Sequence, residues 1–387
     1  MNGDMPSKNR GTLVVVTSSF PIRNDGSEAA GSFVADLIEE LAKQIDIRVV
    51  APGHATGSED WGNRIEVRRF ASPPHPLSTL KARRPDDLYW IARILRGGLQ
   101  ATRAAVADDV THVLALWGLP CGEWARRAAQ ARGIRYSVWL LGSDVWSLGR
   151  LPIVRGMLAR VIRQAGHAYA DGYRLAQDAE RIAGVPAGFL PSTRRIDAPS
   201  SAPPRDQPPY RLLFLGRWHR NKGVDLLLDA LALLDDDDWR CIEKVEIQGG
   251  GPLAPLVRKR VTALHAAGRP VELGGFLAKR EAEATIARAD WVLIPSRIES
   301  IPVVFSDAMK LGRPVIAMPV GDLPRLVGTE GCGILAERTD ATAYRQALNV
   351  MQHTSPQSFA AGISVQAARF DIEKLAANLL EAISDQG

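Results

Sequence analysis

Two runs of alternating strands and helices, separated by a proline-rich stretch, most constrain how this chain folds. The first run opens with TLVVVTSS at 12–19, a β-branched strand pattern, and with SFVADLIEELAKQ at 32–44, whose apolar residues recur every three or four positions. The second run opens with the strand pattern YRLLFLG at 210–216 and ends with CGILAE at 332–337. Alternation of this kind predicts parallel sheets that are covered by helices.

The stretch DAPSSAPPRDQPP at 197–209 holds five prolines and shows no periodicity, which is typical of a linker. A chain of 387 residues is also too long for one ordinary hydrophobic core. We therefore expect two doubly wound, Rossmann-like α/β domains that face each other across a cleft, where ligands of such folds bind. The predicted divisions are an N-terminal domain at 1–198, a linker at 199–209, a C-terminal domain at 210–365 and a final helix at 366–387 that packs back on the first domain.

The composition is that of a globular protein, with 46% hydrophobic and 24% charged residues and a net charge of +5. The balance of charges is +6 over 1–200 and −1 over the remainder. This favours an anionic surface or ligand in the first half, although scattered surface arginines would give the same count. The three cysteines lie far apart and no run of ~18 apolar residues occurs, so we expect a cytoplasmic protein without a zinc site, disulfide framework, signal peptide or membrane span.

The segment FLGRWHRNKGVDLLLDAL at 214–231 places two cations between a strand and a helix. The strand pattern ends at Gly216, Arg217 and Lys222 follow in the loop, and Gly223 opens the helix. The free amides and the dipole at a helix N-terminus attract anions, and the two cations reinforce that attraction. A diphosphate would fit this loop; two solvated surface cations are the alternative.

The segment SRIESIPVVFSDAMKLG at 296–312 keeps two carboxylates in an otherwise apolar stretch, Glu299 and Asp307. Ser300 can cap the helix that follows and Pro302 suits its first position, so Glu299 is predicted to lie in the preceding loop. With a helical rise of ~1.5 Å per residue, the two carboxylates would lie on the order of 10 Å apart. That separation suits two acceptors for hydroxyls at the two ends of a nucleotide-sugar, whereas a solvated loop acid and a helix-surface charge are the alternative.

Five segments in register resemble the family 4 retaining glycosyltransferases, which have the two-Rossmann GT-B fold. They are SSFPIRNDGSEAAGSFVADLIEEL at 18–41, GRWHRNKG at 216–223, VEIQGGGP and VELGGF within 245–276, and PSRIESIPVVFSDAMKLGRPVIA at 295–317. The resemblance covers nearly the whole chain and is strongest from 210 to 327.

The resemblance implies a role for each of these positions. Arg217 and Lys222 would hold the donor diphosphate. Glu299 would contact the transferred sugar, and Asp307 would hold the ribose hydroxyls. Gly31, with Gly26 as a second candidate, would let the chain approach the donor closely. The other predicted donor-binding residues lie at strand ends or near the start of the helix after Glu299: Gly216, Gly249, Gly275, Phe276, Ser300, Ile301 and Val303.

Two positions depart from the family's pattern. Asp307 is one methylene shorter than the usual Glu, which a slight shift of its helix can accommodate. Leu141, in WLLGSDVW, stands where many members carry a histidine that faces the sugar, while Gly142, Ser143 and Asp144 remain. Asp144 is a further candidate catalytic residue, either in contact with the donor sugar or acceptor or as a cap of the next helix.

The family keeps the anomeric configuration of the donor sugar and uses a nucleoside-diphosphate sugar without a metal or other cofactor. The resemblance therefore implies that Arg217, Lys222 and helix-start amides stabilise the departing diphosphate. No separate base is required if the leaving phosphate takes the acceptor proton, so we expect an active enzyme despite Leu141.

The segment IVRGMLARVIRQ at 153–164 reads as a basic amphipathic helix. Its broad apolar stripe comprises Ile153, Val154, Met157, Leu158, Val161 and Ile162, and its other face carries Arg155, Arg160 and Arg163. Such a helix could lie on the inner face of an anionic membrane and reach a lipid-linked acceptor. A helix that packs on its own sheet with a solvated polar face is the alternative.

The sequence thus predicts a retaining glycosyltransferase that moves a sugar from a nucleotide-sugar to a glycan or lipid-linked glycan in cell-surface polysaccharide assembly, with no nucleic-acid partner. A GT-B-type epimerase or hydrolase is one alternative. A non-catalytic nucleotide-sugar-binding protein is another, which Leu141 and Asp307 keep open. An NAD-dependent enzyme is disfavoured, because neither run's first strand is followed by GxGxxG.

Overall fold

The computed structural model describes residues 11–23, 31–73, 80, 84–147, 149, 151–198 and 202–384. They divide into two compact units. The first consists of the described residues of Met1–Pro191 and Ile372–Gly387, and the second of those of Ser192–Asp371. Each unit is built on a largely parallel sheet with helices packed against it, so the predicted class of two Rossmann-like α/β domains is confirmed.

The first unit has an eight-stranded sheet in the order β3-β4-β2-β1-β5-β6-β7-β8. Its strands are β1 (Thr12–Val16), β2 (Asp46–Gly53), β3 (Gly57–Gly62), β4 (Ile65–Ala71), β5 (Val110–Leu116), β6 (Arg135–Leu140), β7 (His167–Ala170) and β8 (Gly188–Phe189). Its first helices are α1 (Ser32–Ala42), α2 (Pro85–Ala105), α3 (Glu123–Arg132), α4 (Ser143–Trp146), α5 (Pro152–Gln164) and α6 (Tyr173–Ala183). Strand β3 pairs antiparallel with β4, and the other pairs are parallel.

Strand β1 is buried on both faces, as its unbroken β-branched run predicts. Successive side chains of a strand point to opposite faces, so Val14 and Val16 enter one hydrophobic core while Leu13 and Val15 enter the other. The sheet therefore separates two apolar layers, and β1 lies at its centre.

The second unit has a six-stranded, parallel sheet in the order β11-β10-β9-β12-β13-β14. Its strands are β9 (Tyr210–Arg217), β10 (Ile242–Gly250), β11 (Val271–Leu273), β12 (Trp291–Ile294), β13 (Val315–Ala317) and β14 (Gly333–Leu335). Its helices are α7 (Val224–Ala232), α8 (Asp236–Arg240), α9 (Ala254–Ala266), α10 (Lys279–Arg288), α11 (Val303–Lys310), α12 (Ala341–Gln352) and α13 (Ala360–Arg369). The strand order reverses between β9 and β12, and ligands of such sheets bind outside the carboxyl ends of the strands at this switch point.

The last helix, α14 (Ile372–Ser384), returns to the first unit. It packs along α1, and Leu379 and Ile383 are buried in the same core as Leu13 and Val15. The second unit therefore lies, in chain order, inside the first.

The boundaries of the second unit lie outside the predicted range of 210–365, because the chain on either side is packed against it. In the predicted linker at 199–209, of which 199–201 lie outside the described residues, the backbone is bound by buried side chains. The guanidinium of Arg313 donates to the carbonyl of Ala202 at 2.5 Å, and the amide of Arg205 donates to Asp290 at 2.8 Å. These contacts satisfy backbone groups that a free linker would leave to water.

The apolar stripe of helix α5 is buried in one part and exposed in another. Leu158, Val161 and Ile162 are buried in the core of the first unit, as in the packed-helix alternative. Ile153 is 83% exposed and Met157 is 37% exposed, so the N-terminal part of the stripe faces water. No helix among the described residues combines the length and the hydrophobicity needed to cross a bilayer.

We expect Leu379→Ala to lower the free energy of unfolding by about 2–5 kcal/mol, because it opens a cavity between α14 and α1. Urea denaturation followed by tryptophan fluorescence measures this loss, since Trp139 lies in the same core. Asn378→Ala, at an exposed position of the same helix, is the control and should change the free energy little. Equal effects of the two changes would contradict the packing of α14 described above.

Candidate functional site

Two loops meet at the switch point of the second sheet. The Lys222 loop (218–223) follows β9 and leads into α7, and the Glu299 loop (295–302) follows β12 and leads into α11. Gly223 has a left-handed backbone with φ of 72°. A Cβ at this position would lie 1.8 Å from the carbonyl oxygen of Pro295, so the close approach of the loops requires glycine here.

Arg297, in the Glu299 loop, contacts both the Lys222 loop and Asp225 in the first turn of α7. The guanidinium of Arg297 donates to both carboxylate oxygens of Asp225, at 2.7 and 3.0 Å, and to the carbonyl of Arg220 at 2.8 Å. The amide of Arg297 donates to the carbonyl of Asn221 at 2.8 Å. Burial raises the pKa of the Asp225 carboxyl, but the hydrogen bonds and the charge of Arg297 lower it by more, so the pKa lies below its usual range. The pair fixes the Lys222 loop against the Glu299 loop.

Within this frame, the ammonium of Lys222 pairs directly with Oε1 of Glu299. The hydroxyl of Ser296 donates to the same oxygen at 3.1 Å. The Glu299 side chain is 11% exposed and that of Lys222 is 38% exposed, so the ammonium keeps contact with water while the acid is largely enclosed. The structure thus brings together a predicted diphosphate-binding cation and a predicted sugar-binding acid from segments 77 residues apart.

Gly321 packs closely against the backbone of the Glu299 loop. It has φ of 57°, and a Cβ there would lie 2.2 Å from the carbonyl oxygen of Glu299 and 2.4 Å from that of Ser300. The amide of Asp322 donates to the carbonyl of Ser300 at 3.2 Å. Sequence reasoning missed Gly321, as it missed Arg297 and Asp225. A glycine just after a strand in a doubly wound sheet was the available signal.

Asp307 lies in α11 and is fully buried, so the alternative of a solvated helix-surface charge is wrong. Its Oδ2 pairs with the guanidinium of Arg194, a residue that the sequence did not single out. The prediction that Ser300 caps α11 is wrong. The N-cap is Pro302, and the Ser300 hydroxyl is buried. A proline at the cap moves the helix start to Val303, beyond the reach of the Ser300 hydroxyl.

The predicted glycines of the second unit gather at the same sheet edge. Gly249 is the register partner of Gly216, and a Cβ on it would lie 2.0 Å from the Gly216 carbonyl oxygen. The Gly249 amide donates to the carbonyl of Gly275 at 2.9 Å. Phe276 is 71% exposed, and its ring lies against Gly250. The exposed ring and the three predicted glycines therefore lie at or just after the ends of β9, β10 and β11, at the carboxyl edge of the sheet.

Three other predicted donor-binding or catalytic residues of the second unit lie at the same loops. Arg217, at the end of β9, is exposed, and within the part of the chain that the structure describes its guanidinium has no hydrogen-bond partner. Ile301, within the Glu299 loop, is buried, and Val303 is half-buried at the first position of α11. Arg217 is therefore available to an anion, whereas Ile301 offers only its backbone.

The remaining predicted residues lie in the first unit. Gly31 has φ of 78°, and a Cβ there would lie 2.9 Å from the carbonyl oxygen of Ser19, so a contact within the chain already requires glycine. Gly26 lies outside the described residues. Asp144 is buried, and its carboxylate accepts the amide of Gly118 at 2.7 Å. It does not cap α4, whose N-cap is Gly142.

The environment of Asp144 is apolar enough to perturb its titration. Burial raises the pKa of this carboxyl, although amide hydrogen bonds from Gly118 and Val145 oppose the shift. Its visible role is to hold the loop after β5 against the loop after β6. Across the residues that the structure covers, no cluster of three His, Cys, Asp or Glu side chains has the arrangement of a metal site.

The chain is similar to known glycosyltransferases. Residues 209–353 match the family model described as Glycosyl transferases group 1. The D-inositol 3-phosphate glycosyltransferase of Xylanimonas cellulosilytica is 29% identical over 224 residues, which cover 53% of this chain and 51% of that protein. The chain therefore spans about half the length of this relative. The putative teichuronic acid biosynthesis glycosyltransferase TuaC of Bacillus subtilis is 25% identical over 375 residues, which cover 88% of this chain and 89% of TuaC.

A solved structure extends the comparison to the fold. The HepE protein of Anabaena, in complex with UDP-glucose, superposes with a TM-score of 0.70 at 15% identity and covers 97% of this chain and all of its own. The likeness confirms the predicted GT-B fold, and the matched domain confirms the resemblance to glycosyltransferases. Membership of family 4 in particular stays a prediction.

We expect Gly223→Ala to destabilise the second unit by more than Gly268→Ala. Both glycines have φ of 72°, so both changes carry the cost of a left-handed alanine, about 1–2 kcal/mol. A Cβ at Gly268 meets open space, whereas a Cβ at Gly223 collides with Pro295. Urea denaturation compares the two variants, because Trp218 and Trp291 report on this core. Equal losses would contradict the close approach of the two loops.

Proposed function

We propose that this chain, a glycosyltransferase of the GT-B fold by its architecture and its matched domain, transfers a sugar from a nucleoside-diphosphate donor to a glycan or lipid-linked glycan. The observation that carries the proposal is the direct pairing of Lys222 with Glu299 at the switch point of the second sheet. There the Lys222 ammonium, which we assign to phosphate, is hydrogen-bonded to the Glu299 carboxylate, which we assign to sugar hydroxyls.

The diphosphate would bind between Lys222 and Arg217. A lysine ammonium has three donors, so Lys222 can keep its bond to Glu299 while it donates to a phosphate oxygen. The exposed guanidinium of Arg217 supplies a second charge from the end of β9. The free amides at the start of α7 add a positive dipole end to the same loop. Fixed positive groups of this kind stabilise the charge that develops on a leaving diphosphate.

The transfer would proceed with retention at the anomeric carbon. The bond from that carbon to the diphosphate oxygen breaks, and the acceptor oxygen forms its bond on the same face of the sugar. The acceptor proton passes to an oxygen of the departing phosphate, so no dedicated protein base is needed. We propose that Lys222 and Arg217, rather than a divalent metal, balance the leaving charge. Glu299 would orient the transferred sugar through its hydroxyls.

The class of donor and acceptor follows from the relatives as a proposal. HepE was solved with UDP-glucose, which supports a uridine diphosphate sugar as the first donor to test. TuaC carries teichuronic acid biosynthesis in its name and aligns over most of both chains, which supports a cell-surface polysaccharide as the acceptor. Sugar release without an acceptor would instead indicate the hydrolase alternative.

We expect Lys222→Ala to weaken binding of UDP, GDP or ADP, whichever the wild type binds, by about tenfold or more, because a charge-assisted bond to phosphate is lost. Isothermal titration calorimetry measures this affinity. Arg220→Ala removes an exposed cation from the same loop and should leave affinity within a few fold. Unchanged affinity in Lys222→Ala would refute the assigned diphosphate site.

We expect Glu299→Gln to lower sugar transfer by roughly 100-fold or more while nucleoside diphosphate affinity changes little. The acid is assigned to the sugar rather than to the diphosphate, and the amide keeps the size of the side chain. Transfer from a labelled nucleotide-sugar to extracted glycan acceptors measures turnover. Full turnover in Glu299→Gln would rule out its proposed contact with the sugar.

Contact with an anionic membrane is a further part of the proposal. Leu151, Ile153 and Met157 are exposed in or beside the first turns of α5, next to the exposed Arg155 and Arg160. Apolar side chains beside arginines suit insertion among anionic lipid headgroups. A lipid-linked acceptor would be met at such a surface.

We expect the protein to sediment with vesicles that contain phosphatidylglycerol and to be released as salt rises. The double change Ile153→Glu with Met157→Glu should abolish most of this binding. Leu233→Glu, at a 52% exposed position of the second unit, is the matched control and should bind like the wild type. Binding that survives the double change would remove α5 from the membrane proposal.

A further inference from the structure

Hydrogen bonds and an ion pair connect helix α11 to the segment at 192–197 within the second unit. Asp307 and Lys310 lie three residues apart on α11 and therefore share one face of the helix. Lys310 donates to the hydroxyl of Thr193 and to the carbonyl of Arg194, each at 2.5 Å. In return, the guanidinium of Arg194 pairs with Oδ2 of Asp307.

The segment is anchored further on both sides of Arg194. The hydroxyl of Thr193 donates to the carbonyl of Phe370 at 2.9 Å, and the amide of Asp197 donates to Glu283 at 3.1 Å. Lys279 pairs with Asp197 at 3.0 Å. The Arg194 backbone is thus fixed, and its side chain, 16% exposed, reaches Asp307 from a rigid base.

The Asp307 carboxylate has one satisfied and one unsatisfied oxygen. Oδ2 is taken by Arg194, whereas Oδ1 has no hydrogen-bond partner among the described residues and no contact with water. A buried acceptor without a donor is costly, and a carboxylate oxygen more so than a neutral one. A hydroxyl that donates to Oδ1 would remove this cost without disturbing the pair with Arg194.

We propose that Arg194 is a positioning residue that holds Asp307 so that Oδ1 accepts a hydroxyl of the donor's ribose. The inference rests on the function proposed above and on the ribose-binding role that the family resemblance implies for Asp307. Aspartate is one methylene shorter than the glutamate of the family pattern, so the place of its oxygens depends more strongly on what grips them. The guanidinium, with its rigid planar donors, fixes Oδ2 and thereby sets the direction of Oδ1.

The burial of Oδ1 of Asp307 affects how a nucleotide can bind. Because Oδ1 has no accessible surface in the unliganded chain, a ribose hydroxyl reaches it only after a neighbouring side chain turns aside. If Arg194 were itself the obstacle, its removal would strengthen nucleotide binding. If Arg194 positions the acid, its removal weakens binding of nucleotides that carry the hydroxyl and spares those that lack it.

The test compares ribose and deoxyribose ligands. UDP, GDP and ADP are titrated into the wild type, and the one that binds best is compared with its 2′-deoxy and 3′-deoxy forms. We expect the wild type to prefer the ribose form over at least one deoxy form by about tenfold or more. In Arg194→Ala this ratio should fall towards one, because the ribose form loses affinity and the deoxy form does not.

Three further variants keep the test decisive. Lys279→Ala removes an ion pair from the same segment without touching Asp307, and it should keep the wild-type ratio even if stability drops. If Arg194→Ala does not fold, Arg194→Lys and Arg194→Gln carry the comparison, since both keep a donor but lose the guanidinium geometry. Both should lower the ratio.

The outcomes separate this inference from the function on which it rests. A wild type that binds no nucleoside diphosphate overturns both. A wild type that binds them and prefers the ribose form, with Arg194 variants that keep the same preference, overturns the role of Arg194 alone. Tighter binding in Arg194→Ala does so too, because it would make the guanidinium a competitor of the nucleotide.

Discussion

The contact between the Lys222 loop and the Glu299 loop is the interaction on which the site of the second unit depends. It exists because β9 and β12 are neighbours at the point where the strand order reverses, so the loops that follow them leave the sheet side by side. Gly223 removes the side chain that would keep them apart, and the Arg297–Asp225 pair ties them together. Only in this arrangement does the ammonium of Lys222 reach the carboxylate of Glu299.

Both acids that the sequence predicts for the donor site of the second unit are held by a cation in the unliganded chain. Glu299 is paired with Lys222, and Asp307 is paired with Arg194. Carboxylates enclosed by apolar residues need such partners, because burial without one costs several kcal/mol. The cations therefore have two roles. They allow the acids to be buried in the folded chain, and they fix the direction in which the second oxygen of each carboxylate points. A site assembled in this way needs little rearrangement of charge when a polar ligand arrives.

Much of the fold follows from local patterns, and much of the site does not. The sequence predicts β1, β9 and the helix that ends before Gly312. Hydrophobic periodicity and a helix-terminating glycine depend only on residues near one another in the chain. The meeting of Lys222 and Glu299 is accessible as well, since parallel strands deliver their carboxyl ends to one edge. Arg194 is not, because it lies 113 residues from Asp307 in a stretch without periodicity. The polar strand β3 has no apolar alternation, and its pairing with β4 depends on the turn at Asn63 and Arg64.

The return of α14 to the first unit also orders events during synthesis. The core around Leu13 and Val15 includes Leu379 and Ile383, which leave the ribosome more than 350 residues after the strand they cover. All of 192–371 emerges before them, so the sheet of the second unit can close while one layer of the first still exposes apolar surface. A nascent chain of this topology must keep that open layer from aggregating until its last helix arrives.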